Sequence, residues 1–111
     1  MFWTYLMFSD RGRFYIGQTA DLPRRLAQHN SHENKRAVSH RMGKKWELID
    51  VREFGTRDEA LAFEARAKRA RDRFAWIQEN AERIKGIVKR EKFLFPKELR
   101  HPNAQRYQVW R

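Results

Sequence analysis

One hundred and eleven residues at 13.6 kDa suffice for one compact domain with a single modest core and are too few for two independently folded halves. A hydrophobic fraction of 41%, aromatics at 14%, three prolines and five glycines exclude a low-complexity or coil-forming chain. Twenty-five Lys and Arg against 14 acids give a net charge of +11 and a pI near 10.7, which draws the protein to polyanions through phosphate contacts and counterion release and makes nucleic acid the expected partner. The lack of cysteine rules out disulfides, zinc-thiolate sites, iron–sulfur clusters and cysteine nucleophiles, and a reducing compartment, the cytoplasm, is the expected location. The opening apolar run 2–8 has no basic leader and meets Ser9-Asp10-Arg11, so it is not expected to act as an export signal. No stretch approaches the roughly 20 apolar residues of a membrane span, and the basic residues are not stacked on one helix face, so no membrane partner is expected.

In chain order, FWTYLMF and RFYIGQT flank a turn containing Gly12 and predict a β-hairpin. With Gly12 left-handed in a three-residue loop, Met7 falls opposite Tyr15 and Tyr5 opposite Gly17. Leu6, Phe8, Phe14 and Ile16 then share the core face, and Trp3, Tyr5, Met7, Arg13 and Tyr15 the other. Tyr5 and Tyr15 become diagonal neighbours within about 7–8 Å. Asp21 caps a short helix over residues 22 to 28 or 29, with Pro23 in its first turn, Leu22 and Leu26 inward, and Arg25 and His29 on one face. Residues 30–45 are polar and basic and predict a loop, with room for a helical turn. Residues 46–54 predict a third strand with Trp46, Leu48 and Asp50 opposing Glu47, Ile49 and Val51. Thr56 and Glu59 form a capping box, from which one long helix is expected through the stripe Ala60, Phe63, Ala67, Ala70, Phe74 and Ile77. Glu64 lies beside that stripe, with Lys68 one turn on. A further helix runs from Ala81 to about residue 92, weakened by Gly86, and 94–111 stays unassigned beyond a tail packing on the body.

Four of these segments, in this order and spacing, carry a resemblance: Tyr5 within Thr4-Tyr5-Leu6; Tyr15-Ile16-Gly17; Asp21-Leu22-Pro23-Arg24-Arg25-Leu26 with His29; and Thr56-Arg57-Asp58-Glu59-Ala60-Leu61 leading to Glu64 and Lys68. The chain resembles the GIY-YIG nuclease superfamily over roughly residues 2–80, with the second triplet intact and only the tyrosine of the first retained. The resemblance implies a small α/β (α+β) domain over 1–80, with a three-stranded antiparallel or mixed sheet flanked by helices. Residues 81–111 are expected to add a basic helix and tail packed on the same domain. It also implies hydrolysis of a phosphodiester with Mg²⁺ or Mn²⁺ on a single helix carboxylate, by position Glu64, which agrees with a hard cation that keeps most of its waters.

By the same resemblance Arg25 steadies charge on the scissile phosphate, since Arg24 is turned by about 100° and misses the site. Tyr5 is the expected general base toward water, which requires either that Arg25, the metal or another cation favour phenolate or that Tyr5 pass its proton onward. Tyr15 positions water and phosphate, and His29 is a phosphate donor or the alternative base. Relatives of the excision-repair incision nuclease carry a lysine after the YIG glycine, where this chain has Gln18. Plainer structural roles compete: strand tyrosines as packing, His29 as a helix cap, and Glu64 as the partner of Lys68. His32 and His40 are further histidines without a distinguishing spacing, and Asn80 is a helix cap or a polar residue near the site.

Nucleic-acid contacts are expected from Arg13, Gln18, Arg24 and Lys68 and from a basic arm of Lys35, Arg36, Arg41, Lys44 and Lys45. In the tail, Lys97, Arg100, Arg106 and Arg111 interleave with Tyr107 and Trp110, which either stack on unpaired bases or pin the tail to the body. The sequence therefore predicts a metal-dependent DNA endonuclease or nickase, a monomer or homodimer without a separate specificity domain, of low sequence specificity or selective for branched, nicked or flapped structure. The alternatives are a non-catalytic nucleic-acid-binding module and an RNA-directed nuclease. Repair, mobile-element spread, restriction and phage functions all use this domain.

Overall fold

The computed structural model describes residues 1–31 and 41–100. β1 (Phe2–Ser9) and β2 (Phe14–Thr19) form an antiparallel hairpin in the expected register, Met7 opposite Tyr15 and Tyr5 opposite Gly17. Gly12 closes the turn at φ +72°, a region disfavoured by about 1–2 kcal/mol for a residue with a Cβ. A Cβ there would also stand 2.8 Å from the Leu94 carbonyl oxygen, because the chain returns to this turn and Leu94 N donates to the Asp10 carbonyl at 2.9 Å.

β3 (Trp46–Phe54) pairs antiparallel with the other side of β1, giving a three-stranded sheet in the order β2-β1-β3. Simple alternation along β3 fails halfway. Leu6 faces Asp50 while Met7 faces Leu48, so Ile49 is one residue too many, a β-bulge. The bulge reverses the expected sides of Asp50 and Val51 and leaves Ile49 opposite Trp46 and Leu48, as alternation placed it. Val51 joins Trp46 and Leu48 against Tyr5 and Met7, whereas Ile49 is buried on the opposite face with Leu6. Asp50 follows Ile49 and accepts a hydrogen bond from Trp76 Nε1 at 2.8 Å.

The helix α1 (Leu22–Asn30) starts as expected, with the Asp21 carboxylate accepting from Arg24 N at 3.2 Å, and runs slightly longer than predicted. α2 (Arg57–Ala67) begins in the capping box, Thr56 accepting from Glu59 N and Glu59 from Thr56 N, each at 3.2 Å. The expected single long helix is in fact two. α2 ends at Lys68, Arg69 adopts extended backbone at φ −65°, ψ 139°, and α3 (Ala70–Glu79) starts in a new phase. The break leaves Ala70 exposed and brings in Trp76, which the continuous stripe had left out. Phe63 meets the Trp76 ring edge-on, centroids 5.4 Å apart, so packing α3 against α2 buries Trp76 and partly covers Phe63. α4 (Ala81–Glu91) ends at Lys92, left-handed at φ 57°, and a 3₁₀ turn follows at Lys97–Leu99.

Each sheet face has its own apolar cluster. Leu6, Phe8, Phe14, Ile16 and Ile49 pack beneath Ala67, Trp76, Ile77, Ile84, Ile87 and Phe93 from the later helices and the segment after them. On the other face Tyr5, Met7 and Trp46 are buried, with Tyr15 and the α1 residues Leu22 and Leu26 against them. α1 covers that face only in part, and the polar residues that converge there lie along its edge. Among the described residues no helix is long and apolar enough to cross a membrane.

Candidate active site

The polar centre is the Tyr5 phenol. Its strand is central in the sheet, its ring is fully buried, and its oxygen is met by two groups of α1. Arg25 Nε donates to Tyr5 Oη at 3.2 Å, and His29 Nε2 lies 3.0 Å from the same oxygen. A guanidinium can only donate, so Tyr5 Oη is an acceptor toward Arg25 and has its own proton free for an unprotonated Nε2. The one-turn spacing of Arg25 and His29 brings both to a single atom.

Gly17 makes room for this arrangement. It pairs with Tyr5 across the hairpin, and a Cβ there would stand 2.5 Å from Tyr5 Oη and 2.8 Å from its Cζ. Tyr15 lies beside Tyr5, ring centroids 6.3 Å apart, and packs on His29 at 4.9 Å. Trp46 closes the aromatic wall, 6.2 Å from Tyr15 and 6.1 Å from His29.

Burial sets the protonation states. It pushes the Tyr5 phenol up to about 12, against the Arg25 hydrogen bond and charge, which pull it down. Burial, reinforced by the Arg25 charge, lowers His29 to about 4. At neutral pH Tyr5 is a protonated phenol and His29 a neutral imidazole. Arg25 is raised, chiefly by its hydrogen bond to Tyr5, and its NH1 is steadied by Gln28 Oε1 at 3.1 Å.

Glu64 approaches from the other side. The Thr4 hydroxyl donates to the Ala60 carbonyl at 2.7 Å, which fixes α2 against β1 next to Tyr5, and Glu64 follows one turn later. Its charge is felt at the Tyr5 phenol, raising it slightly further. The side chain is 20% exposed, with Oε2 3.7 Å from Lys68 Nζ. Among the described residues no cluster of three or more His, Asp or Glu could hold a metal by itself. A single, mostly covered carboxylate with one edge open does fit a hard divalent ion that keeps its waters and borrows substrate phosphate oxygens.

The structure thus brings Tyr5, Tyr15, Arg25 and His29 together and sets Glu64 within electrostatic reach of them. His29 is a buried partner of Tyr5 rather than a helix cap. Arg24 does miss the phenol; it lines an open groove beside α1 with Arg25, Gln28 and Arg57. Gln18 is half-buried on the α2 face opposite Thr4, with its Oε1 buried and unpartnered. Arg13, Arg41, Lys44, Lys45 and Lys68 are exposed, and Asp10 Oδ1 holds the backbone of Lys44 at 2.9 Å and of Lys45 at 3.2 Å. Lys35, Arg36, His32, His40, Arg106, Tyr107, Trp110 and Arg111 lie outside the described residues. Asn80 links α3 to α4, with Nδ2 3.3 Å from Asp50 Oδ2 on the sheet face opposite Tyr5.

Sequence reasoning overlooked two supporting residues. Asn30 ties the end of α1 to β3, its Oδ1 accepting from Trp46 N at 2.8 Å and its Nδ2 donating to the Trp46 carbonyl at 3.2 Å. Arg57, the first residue of α2, extends the basic groove and stacks 5.7 Å from the Phe2 ring centroid. Asn30 could have been found as a polar residue one position past the site histidine. Nothing local marks Arg57.

A hairpin, a short helix placing Arg and His on a strand tyrosine, and a second helix bearing one carboxylate define a nuclease fold of the GIY-YIG type. The GIY-YIG catalytic domain family model matches residues 1–75, and the chain belongs to that nuclease family. Within it the chain is similar to the UPF0213 proteins of two Streptococcus pneumoniae strains, the serotype 4 strain and strain R6. Each is 35% identical over 81 residues, which cover 71% of this chain and 80% of the relative. No solved structure matches the chain significantly.

Proposed function

We propose that this protein is a divalent-metal-dependent endonuclease that hydrolyses phosphodiester bonds in nucleic acid, DNA first, one strand per visit. The observation that carries the proposal is the Tyr5 hydroxyl held between Arg25 Nε and His29 Nε2. With the phenol pushed up to about 12, standing phenolate is scarce at neutral pH, and Tyr5 works as a relay. A water proton passes to Tyr5 Oη as the Tyr5 proton passes to His29 Nε2. The hydroxide oxygen forms a bond to phosphorus, the bond to the departing sugar oxygen breaks, and that oxygen takes a proton from solvent. Arg25 has NH2 and the rest of its fork for the charge that builds on the phosphate, and Tyr15 walls the water's side of the site. Glu64 would hold Mg²⁺ or Mn²⁺, which when bound supplies electrostatic stabilisation of the phosphoryl oxygens. One such site per chain supports nicking by a monomer, with double-strand cuts left to a dimer or to repeated visits.

The test is conversion of supercoiled plasmid to nicked and linear forms in Mg²⁺, Mn²⁺ or EDTA, with an RNA of matched length in parallel. Nicking that needs the metal, disappears in Glu64→Ala and drops by about 10²-fold or more in Tyr5→Phe is the expected result. A wild type that binds the plasmid and cuts neither it nor RNA overturns the proposal and leaves a binding module.

A further inference from the structure

A second basic recess lies at the turn end of the hairpin. It measures about 380 Å³ and is lined by Arg11, Arg13, Arg73, Lys97 and Arg100, with Glu98 its one carboxylate. Two of the cations are built into its wall. Arg73 lies 5.9 Å from the Phe14 ring centroid and donates from NH1 to Glu98 Oε2 at 3.1 Å, while Arg100 donates from Nε and NH2 to the Phe95 carbonyl at 3.2 and 3.1 Å. Gln78 Nε2 donates to the Glu98 carbonyl at 3.1 Å, and Leu94 N to the Asp10 carbonyl at 2.9 Å, so the returning chain is fastened to α3 and to the turn. Glu98 is taken up by Arg73, with its side chain 8% exposed.

Arg11, Arg13 and Lys97 are exposed and make no ion pair among the described residues. The chain outside those residues offers little to neutralise them: residues 101–111 contain no acid and 32–40 only Glu33. Unpaired cations converging on an open recess repel one another and are complementary to a polyanion. Arg13, the residue before β2, and Gly17 are four positions apart, roughly 13 Å at about 3.3 Å per residue, which is about four base-pair rises of ~3.4 Å. Lys97 and Arg100 lie beyond residue 75, where the family match ends, so the C-terminal segment completes a recess whose other cations, Arg11, Arg13 and Arg73, lie within the match.

We infer that this recess is a second phosphate-binding site, which grips the nucleic-acid backbone several nucleotides to one side of the bond cut at Tyr5. The inference rests on the nuclease reading for its ligand and not for its measurement. The test is binding of a fluorescein-labelled duplex in EDTA, followed from about 50 to 200 mM salt, for wild type, Arg11→Gln/Lys97→Gln, and the control Lys85→Gln/Lys89→Gln on α4, which removes equal charge away from the recess. In the first variant the slope of log K against log salt should fall in magnitude by about 1 to 2, since each lost phosphate contact is worth about 0.9, and affinity should fall about tenfold at the low-salt end. The control should keep the wild-type slope.

A slope unchanged in Arg11→Gln/Lys97→Gln, or lowered equally in the control, overturns the second site and leaves the nuclease reading intact. A lowered slope in a protein that cuts nothing in Mg²⁺ or Mn²⁺ upholds the site and overturns the nuclease. Inorganic phosphate binding that the variant loses, with its duplex slope unchanged, makes this a free-phosphate site and overturns backbone recognition. No binding of duplex by the wild type at low salt overturns both.

Discussion

Gly17 and Tyr5 form a steric pair whose fit decides the site. In Gly17→Ala the new methyl would stand 2.5 Å from Oη, so the phenol must leave its place between Arg25 and His29. The expected cost is about 1–3 kcal/mol of stability by urea unfolding, with nicking lost, and the cost should shrink in the Tyr5→Phe background, where the closest clashing atom is gone. A purely backbone effect of the methyl would give equal costs in both backgrounds. His29 gives a pH signature. Its pKa is lowered to about 4 in the folded chain from about 6.5 unfolded, so the unfolded chain binds the extra proton between these values, and stability is present above 6.5 and lost as pH falls toward 4. The shift corresponds to about 3 kcal/mol, and His29→Gln should unfold with a visibly flatter dependence across that window. Equal slopes in the two proteins would mean that His29 titrates normally. The participants at this scale were legible: spacing put Tyr5 and Tyr15 on one sheet face and Arg25 and His29 on one helix face, and the family resemblance joined the two pairs. Their protonation states were not, because burial of the phenol and the imidazole is a property of the assembled fold.

At the scale of elements, the hairpin and the capped helices were readable because each is fixed by local chemistry: a left-handed Gly12, Asp21 at a helix start, and the Thr56–Glu59 box. The β3 bulge and the break at Lys68–Arg69 were not, because neither is marked by glycine or proline and both are decided by tertiary contacts. Asp50 joins the two. Burial pushes its carboxyl up, but hydrogen bonds from Trp76 Nε1, Val51 N and Asn80 Nδ2, with Arg52 beside it, hold it below the ordinary carboxylate range. It thereby fastens the bulged strand to α3 in the phase that buries Trp76. Asp50→Ala leaves the Trp76 N–H without an acceptor and should cost about 1–3 kcal/mol. The depressed carboxyl contributes stability above its unfolded pKa that is lost as pH falls through the folded one, so the acid limb of unfolding below about pH 4 should be shallower in Asp50→Asn than in wild type. Thermal melts at neutral pH and at pH 3 check both outcomes; a variant as stable as wild type at both would show that Asp50 fastens nothing.

For the molecule as a whole, the family match and the physical unit have different ends. The match stops at residue 75, yet the cluster under the sheet takes Trp76, Ile77, Ile84, Ile87 and Phe93 from beyond it. These large side chains cover Leu6 and Phe8, whose strand neighbour Tyr5 carries the proposed chemistry, so the C-terminal helices brace the site from behind without lining it. Burial of a side chain of this size is worth about 1.5–3 kcal/mol, so removing five together forfeits about 8–15 kcal/mol, comparable to the 5–15 kcal/mol by which domains are stable, and uncovers Leu6, Phe8 and Ile49 besides. A fragment of residues 1–75 should therefore show no cooperative unfolding transition and no nicking, while residues 1–100 should keep both. Circular dichroism melts of the two fragments decide it: a cooperative melt from 1–75 would mean that the sheet and its first helices are a sufficient core, and that α4 serves only to carry the basic segment back to the hairpin turn.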